Sequence, residues 1–365
     1  MKIDTMLSGL EEAGDHARRL EAVGVDGAFT FEGPHDVFTP LVLAAAATSR
    51  LELATNVAIA FPRNPVQLAH QAWDLHLLSH GRFTLGLGTQ VRAQVERRYG
   101  AAFDRPIARM RDLVGALRAV FATWQTGGAL DYRGEFTAHT LMPPMFNPGP
   151  SPWGPPPIAI GGLGPQMVRL AAEVADGVLV MPFNSRRHFA ERTVPAIDEG
   201  LARGGRTAAD LTVTGEVIVC CGRTGEELEA ARLAGRWLLA FYASTPAYRP
   251  VLEVEGWGDL QPELQALSRA GRWEEMAGLV DDDLLTTLAA VGSPAEVAAE
   301  VAGRFGGRAD RVGFYTPYLV AEETLGELVD ELRAATGRPA TGRPVDDPTP
   351  DDPTLDDPTP DPDRR

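Results

Sequence analysis

The chain has 365 residues, 44% of them apolar and 23% charged, with a formal net charge of −16 and two cysteines. That apolar fraction supports a sizeable core and excludes an intrinsically disordered chain. A phosphate backbone selects clustered basic residues, so a −16 chain whose single lysine is Lys2 excludes nucleic acid as the natural partner.

The opening MKIDTMLSGLEE has neither the basic region nor the apolar run of a signal peptide, and no stretch approaches the roughly 18 uninterrupted apolar residues of a membrane span. A cytoplasmic protein without membrane contact is therefore expected. From there, short apolar runs alternate with amphipathic ones, which is the pattern of βα units and a parallel sheet. Strands are predicted at Lys2–Leu7, Gly27–Phe31, Leu51–Ala60, Arg82–Leu87, Pro157–Ile160, Gly177–Met181, Thr212–Cys221 and Arg311–Tyr315. Helical patterns follow them at Glu11–Ala22, Pro40–Ala47, Pro65–Leu78, Pro106–Trp124, Pro165–Ala175, Arg187–Arg203, Gly225–Tyr242 and Glu322–Thr336. Eight such units, with no GxGxxG after the first strand, predict an α/β fold of the (β/α)8 TIM-barrel type rather than an open dinucleotide-binding sheet.

Two connections, Gln125 to Pro156 and Ala243 to Val291, are too long for simple turns. Their tryptophans and methionines favour covers at the C-terminal face of the barrel, the alternative being outer padding or a homodimer contact. Cys220 and Cys221 are adjacent in a strand and should point to opposite faces, so neither a disulfide nor a metal cage is expected. The chain ends in a DDPTx-like repeat without apolar periodicity, which cannot offset its ordering entropy. Residues 1–338 are thus expected to form one barrel domain and 339–365 a disordered acidic tail, in which eight aspartates from Asp346 to Asp363 face only Arg364 and Arg365.

Barrel chemistry sits in the loops after the strands, and three of those loops carry candidate residues. His35 follows the second strand in TFEGPHDVFTP, and a near-neutral imidazole suits proton transfer. A lone histidine is more often structural, but the other six lack this placement. Gly161, Gly162, Leu163 and Gly164 lead from the fifth strand into a helix opened by Pro165, a turn where backbone can approach an anion closely, although such turns are common without phosphate. Gly88, Thr89 and Gln90 form the turn after the fourth strand. His70 and His76 are not spaced as a helical metal pair and no HExxH occurs, so no metal is implied.

The stretch LELATNVAIAFPRNPVQLAHQAWDLHLLSHGRFTLGLGTQ, residues 51–90, together with PPIAIGGLGPQMVRLAAEVADGVLV, residues 156–180, resembles the bacterial-luciferase-like family. The similarity runs from residue 1 to about 336, and it is nearest the coenzyme F420 branch of methylenetetrahydromethanopterin-reductase type. It implies a cofactor ring at the barrel mouth against a non-proline cis peptide at Asn56-Val57, beside Thr89 and Gln90. It also implies a cofactor phosphate near Gly161, Gly162, Leu163, Gly164, Gln166 and Met167. Two departures from the family's deazaflavin sugar-phosphate dehydrogenases disfavour that activity: Val91 and Arg92 stand where a glutamate is expected, and the phosphate-binding lysines are missing. The expectation is an F420-dependent oxidoreductase acting on a small organic substrate. An FMN-dependent monooxygenase is the first alternative, and a cofactor-binding barrel without catalysis is the second.

Overall fold

The computed structural model describes residues 1–337, so the expected acidic tail, 339–365, lies outside the described residues. Eight parallel strands close into a barrel: β1 (Lys2–Met6), β2 (Gly27–Thr30), β3 (Glu52–Thr55, continued by Ala58–Ile59), β4 (Phe83–Gly88), β5 (Ile158–Gly162), β6 (Gly177–Val180), β7 (Thr212–Cys221) and β8 (Arg311–Tyr315). Each pairs with the next and β8 pairs with β1, leaving no open edge.

Parallel closure requires a crossover between strands, and helices supply it: α1 (Ala13–Val23), α2 (Thr39–Ala47), α3 (Pro65–Leu78), α4 (Pro106–Thr126), α5 (Pro165–Val174), α6 (Val194–Gly204), α7 (Gly225–Ala243) and α8 (Glu322–Ala335). Local chemistry fixes their ends. The Asn64 side chain accepts the Val66 N–H at 2.9 Å and Pro65 opens α3, while Gly24, at φ 98°, closes α1. The main core lies between barrel and helices, with Trp73 and Trp124 fully buried and their rings 5.4 Å apart where α3 meets α4.

The structure departs from the sequence reading in three places. The fifth strand runs through Gly162, so Gly161 and Gly162 belong to the strand end rather than to a turn. The long connection 243–291 is helical, with helices Arg249–Glu255, Leu260–Arg269, Trp273–Gly278 and Asp282–Leu288 leading into a strand, Ala289–Gly292, and a further helix, Pro294–Phe305. That strand pairs with Ile218–Cys221, the far end of β7, so this insertion does sit at the C-terminal face.

The connection 125–156 does not serve as a cover. It joins the end of α4 to the start of β5, which places it at the opposite end of the barrel. There Trp153 stacks on His80, just before β4, with ring centroids 5.3 Å apart, and Gln125 and Ser151 exchange bonds of 3.0 and 3.1 Å. The insertion 243–291 builds a second apolar cluster over the end of β7. Cys220 belongs to that cluster and Cys221 to the main core, on opposite faces of the strand as expected. No helix among the described residues is long and apolar enough to cross a membrane.

Candidate active site

The mouth is organised by an irregularity in β3. Ala54 pairs with Thr84 and Ala58 with Leu87, so β3 carries one residue more than β4 over the same span. Such a bulge re-aims side chains next to a site. The Thr55 hydroxyl replaces the lost ladder bonds, donating to the Gly86 carbonyl at 2.7 Å and accepting the Gly86 N–H at 2.9 Å. The Asn56-Val57 bond within the bulge is cis, as the family resemblance implied.

Val57 lies across two strands that carry no side chain toward it. A Cβ on Gly88 would stand 2.3 Å from Val57 Cγ2, and one on Gly161 would stand 2.9 Å from Val57 Cγ1. Glycine at both positions is what lets Val57 reach the backbones of β4 and β5. Thr89 is half-buried and follows directly, while Gln90, exposed at φ 56°, accepts the Val91 N–H at 2.9 Å. Leu163 packs against the second cluster, and a Cβ on Gly164 would meet nothing within 4 Å, so the start of α5 is open. Gln166 is exposed there, whereas Met167 is buried in the main core and its N–H bonds to the Gly164 carbonyl at 3.1 Å.

His35 lies in the exposed part of the loop after β2. The root of that loop is rigid. Thr30 Oγ1 donates to the Val37 carbonyl at 2.6 Å, and the Asp36 carboxylate accepts the Phe38 and Thr39 N–H groups at 3.0 and 2.9 Å, tightening the turn that enters α2. Glu32 accepts the Ile59 N–H at 3.0 Å and pairs with Arg63 at 2.8 Å, with the two side chains only 9% and 18% exposed. The loops after β2 and β3 are therefore fastened together beside the bulge.

Sequence reasoning missed the most deeply buried charge-bearing group in the mouth. Glu216 projects from β7 across the barrel and accepts a hydrogen bond from the Asn56 side-chain amide, and it is 3% exposed. Gly313 of β8 makes room for it, since a Cβ there would lie 3.1 Å from Glu216 Cγ. Burial pushes the carboxyl up to about 8, against the lowering effect of Asn56 and with a further rise from the Asp4 charge. Asp4 itself belongs to an ionic cluster at the barrel floor, where Arg311 bridges Asp4, at 2.8 Å, and Glu52, which also pairs with Lys2. Tyr315 and Tyr242 stand near the same carboxyl and are hydrogen-bonded to each other. The signal for Glu216 was present in TVTGEVIVCC, where one carboxylate interrupts an otherwise buried strand.

The sequence profile of the luciferase-like monooxygenase family matches residues 2–311. The chain belongs to that family. Among relatives of this luciferase-like protein, the uncharacterized protein Rv1360 of Mycobacterium tuberculosis is 48% identical over 313 residues, 86% of this chain and 92% of that one. The 5,10-methylenetetrahydromethanopterin reductase of Archaeoglobus fulgidus is 29% identical over 274 residues, 73% of this chain and 77% of that one. In fold, the protein is similar to the coenzyme F420-dependent tetrahydromethanopterin reductase of Methanopyrus kandleri, with TM-score 0.76 and 20% identity over 92% of this chain and 98% of the other. It is also similar to the FMN complex of a 3,6-diketocamphane monooxygenase component from Pseudomonas putida, with TM-score 0.65 and 17% identity over 93% and 99% of the two chains.

Within this luciferase-like barrel the contacts join Asn56, Val57 and Gly161 at the bulge. Thr89 follows Gly88, and the Gly162–Gly164 segment leads from the end of β5 into α5. Among the described residues no group of three His, Cys, Asp or Glu is placed to hold a metal ion.

Proposed function

We propose that this protein is an oxidoreductase that binds coenzyme F420 at the barrel mouth and moves a hydride between it and a small organic substrate. The observation that carries the reading is the bare backbone at Gly88 and Gly161 beneath Val57, continuing into the open start of α5 at Gly164. A planar ring needs a flat apolar wall, and a phosphate needs accessible N–H groups at a helix start. This mouth offers both a few residues apart. The name of a relative 31% identical over 324 residues, the putative coenzyme F420-dependent oxidoreductase Rv3520c of Mycobacterium tuberculosis, supports the deazaflavin over FMN.

On this reading Asn56, Val57, Thr89 and Gln90 hold the ring, while Gly161, Gly162, Leu163, Gly164 and Gln166 hold the phosphate. Met167 contributes by packing α5 against the barrel. When bound, the deazaflavin supplies a carbon that gives or accepts a hydride. The insertion 243–291 excludes water on the β5–β7 side, because Leu163, Met181 and Tyr242 all pack against its core. His35 takes the proton of a substrate hydroxyl as its carbon loses hydride, or returns it in the reverse direction.

Titrating the purified protein with F420 and with FMN, followed by absorbance, tests the reading. Tighter binding of F420 is expected. Tighter binding of FMN would make the protein a flavin monooxygenase of the same family, and binding of neither would leave a barrel without this chemistry.

A further inference from the structure

Glu216 has no place in the function proposed so far, yet its position is costly. A carboxylate taken out of water without a cation partner is strongly disfavoured, and the group neutralises by holding its proton instead. Among the described residues, no ion pair or hydrogen bond gives Glu216 a cationic partner. From β3 it meets the Asn56 amide, a neutral donor. From β8 it meets Gly313, and Tyr315 of β8 and Tyr242 of α7 lie within reach of its charge, both neutral groups. From β1 the nearest ionisable group is Asp4, an acid. The arginine that could neutralise it, Arg311, is already committed to Asp4 and Glu52 at the floor.

The backbone holds this arrangement firmly. The Glu216 carbonyl accepts the Asn184 amide at 3.1 Å, and the Asn184 carbonyl in turn accepts Arg304 Nη1 at 3.0 Å, fixing β7 to the loop after β6 and to helix Pro294–Phe305. The side chain is thus aimed, through Asn56, at the same bulge that presents Val57 to the mouth. An ordinary structural carboxylate would be paired with Arg or Lys, as Asp4 and Glu52 are.

We propose that Glu216 is the proton carrier of the buried side of the mouth, a carboxylic acid that delivers and recovers the proton accompanying hydride transfer. The proposal rests on the hydride-transfer reading above. In the reducing direction, hydride carries its electron pair to the substrate carbon. The π-bonded oxygen or nitrogen of the substrate takes over the displaced pair and receives the Glu216 proton, so that the carboxyl O–H breaks and the new O–H or N–H forms. The carboxylate left behind is held by Asn56 and reprotonated from the solvent side, which also takes up the one proton released when a bound deazaflavin is oxidised, so that protons balance. In the oxidising direction each transfer runs backward. Glu216 ends every cycle unchanged. On this proposal it is the group that exchanges the proton with the substrate directly, and His35, on the solvent side, passes that proton between the buried acid and water.

Glu216→Gln keeps the shape and the acceptor for Asn56 while removing the exchangeable acid, and circular dichroism and thermal unfolding establish that it folds. Infrared difference spectra of the cofactor-free full chain, wild type against Glu216→Gln, cancel the contribution of Asp4. A protonated-carboxyl C=O band is expected at pH 7, titrating near pH 8. No band, or a midpoint in the ordinary carboxylate range, would overturn the proposal. The second arm is stopped-flow hydride transfer from reduced F420 to the first active substrate. Wild type should slow as pH rises through the same midpoint, and Glu216→Gln should be about a hundredfold slower with that limb of the profile gone. Equal rates and profiles would show the acid to be structural. If F420 does not bind, the hydride-transfer reading and the delivery role both fail, and the infrared band still reports the state of the carboxyl.

Discussion

At the scale of single residues, the mouth has two candidate proton groups in opposite environments. His35 is exposed on a loop whose root is fixed by Thr30 and Asp36, so its replacement disturbs little packing. His35→Asn should lower turnover by roughly a hundredfold, the usual contribution of a positioned acid or base, while F420 affinity stays within a fewfold of wild type. Wild-type turnover in a folded His35→Asn protein would make the histidine structural. Glu216 makes a second, thermodynamic prediction that needs no substrate. Its folded value of about 8 stands above the ordinary glutamate value of 4.5, so the folded state holds the extra proton between those values. By linkage, this group contributes stability that is fully present below about pH 4.5 and is lost as pH rises through 8. The melting temperature of wild type relative to Glu216→Gln should therefore fall from pH 5 to pH 9. A difference that does not change with pH would show that Glu216 titrates normally.

At the scale of elements, the contact of β3 with β4 and β5 is a packing problem solved by glycine. Gly88→Ala would place a methyl group 2.3 Å from Val57 Cγ2, inside any tolerated contact, between two strands with no freedom to separate. Overpacking of this kind costs about 1–3 kcal/mol, measurable by denaturant unfolding. In a Val57→Ala background the added cost should largely vanish, because the clashing methyl is gone, and an unchanged cost would place the strain elsewhere. The start of α5 behaves differently. A side chain at Gly164 meets open space, so Gly164→Glu should fold with near wild-type stability yet weaken F420 binding at least tenfold by crowding and repelling a phosphate. Unchanged affinity would put the phosphate at another loop.

At the scale of the whole molecule, β8 pairs with β1 and α8 buries Leu325, Leu328, Val329 and Leu332, so the barrel is complete by residue 335. The repeat that follows has no apolar face by which to add a core. A chain ended at Pro339 should match the full protein in melting temperature and in F420 affinity. A clear loss in either would mean that the acidic repeat takes part in the fold.

How much of this was legible in the sequence depended on the range of the interactions involved. The eight βα units were readable because hydrophobic period and turn chemistry are local, as the Pro65 start of α3 and the Gly24 end of α1 show. The strand Ala289–Gly292 escaped notice because four small residues carry too little pattern to separate them from a loop. The connection 125–156 looked like a cover because its composition is that of one. Only the path from α4 to β5 decides which end of the barrel it occupies. The glycines at 88 and 161 were visible as glycines, but what they make room for, Val57, lies 31 and 104 positions away in the chain. The same holds for Glu216. Its chemistry was fixed by its residue type, while its lack of an arginine partner among the described residues, its hold on Asn56 and its place beneath the mouth were decided by barrel closure, which brings residues 56 and 216 to one end of one lumen.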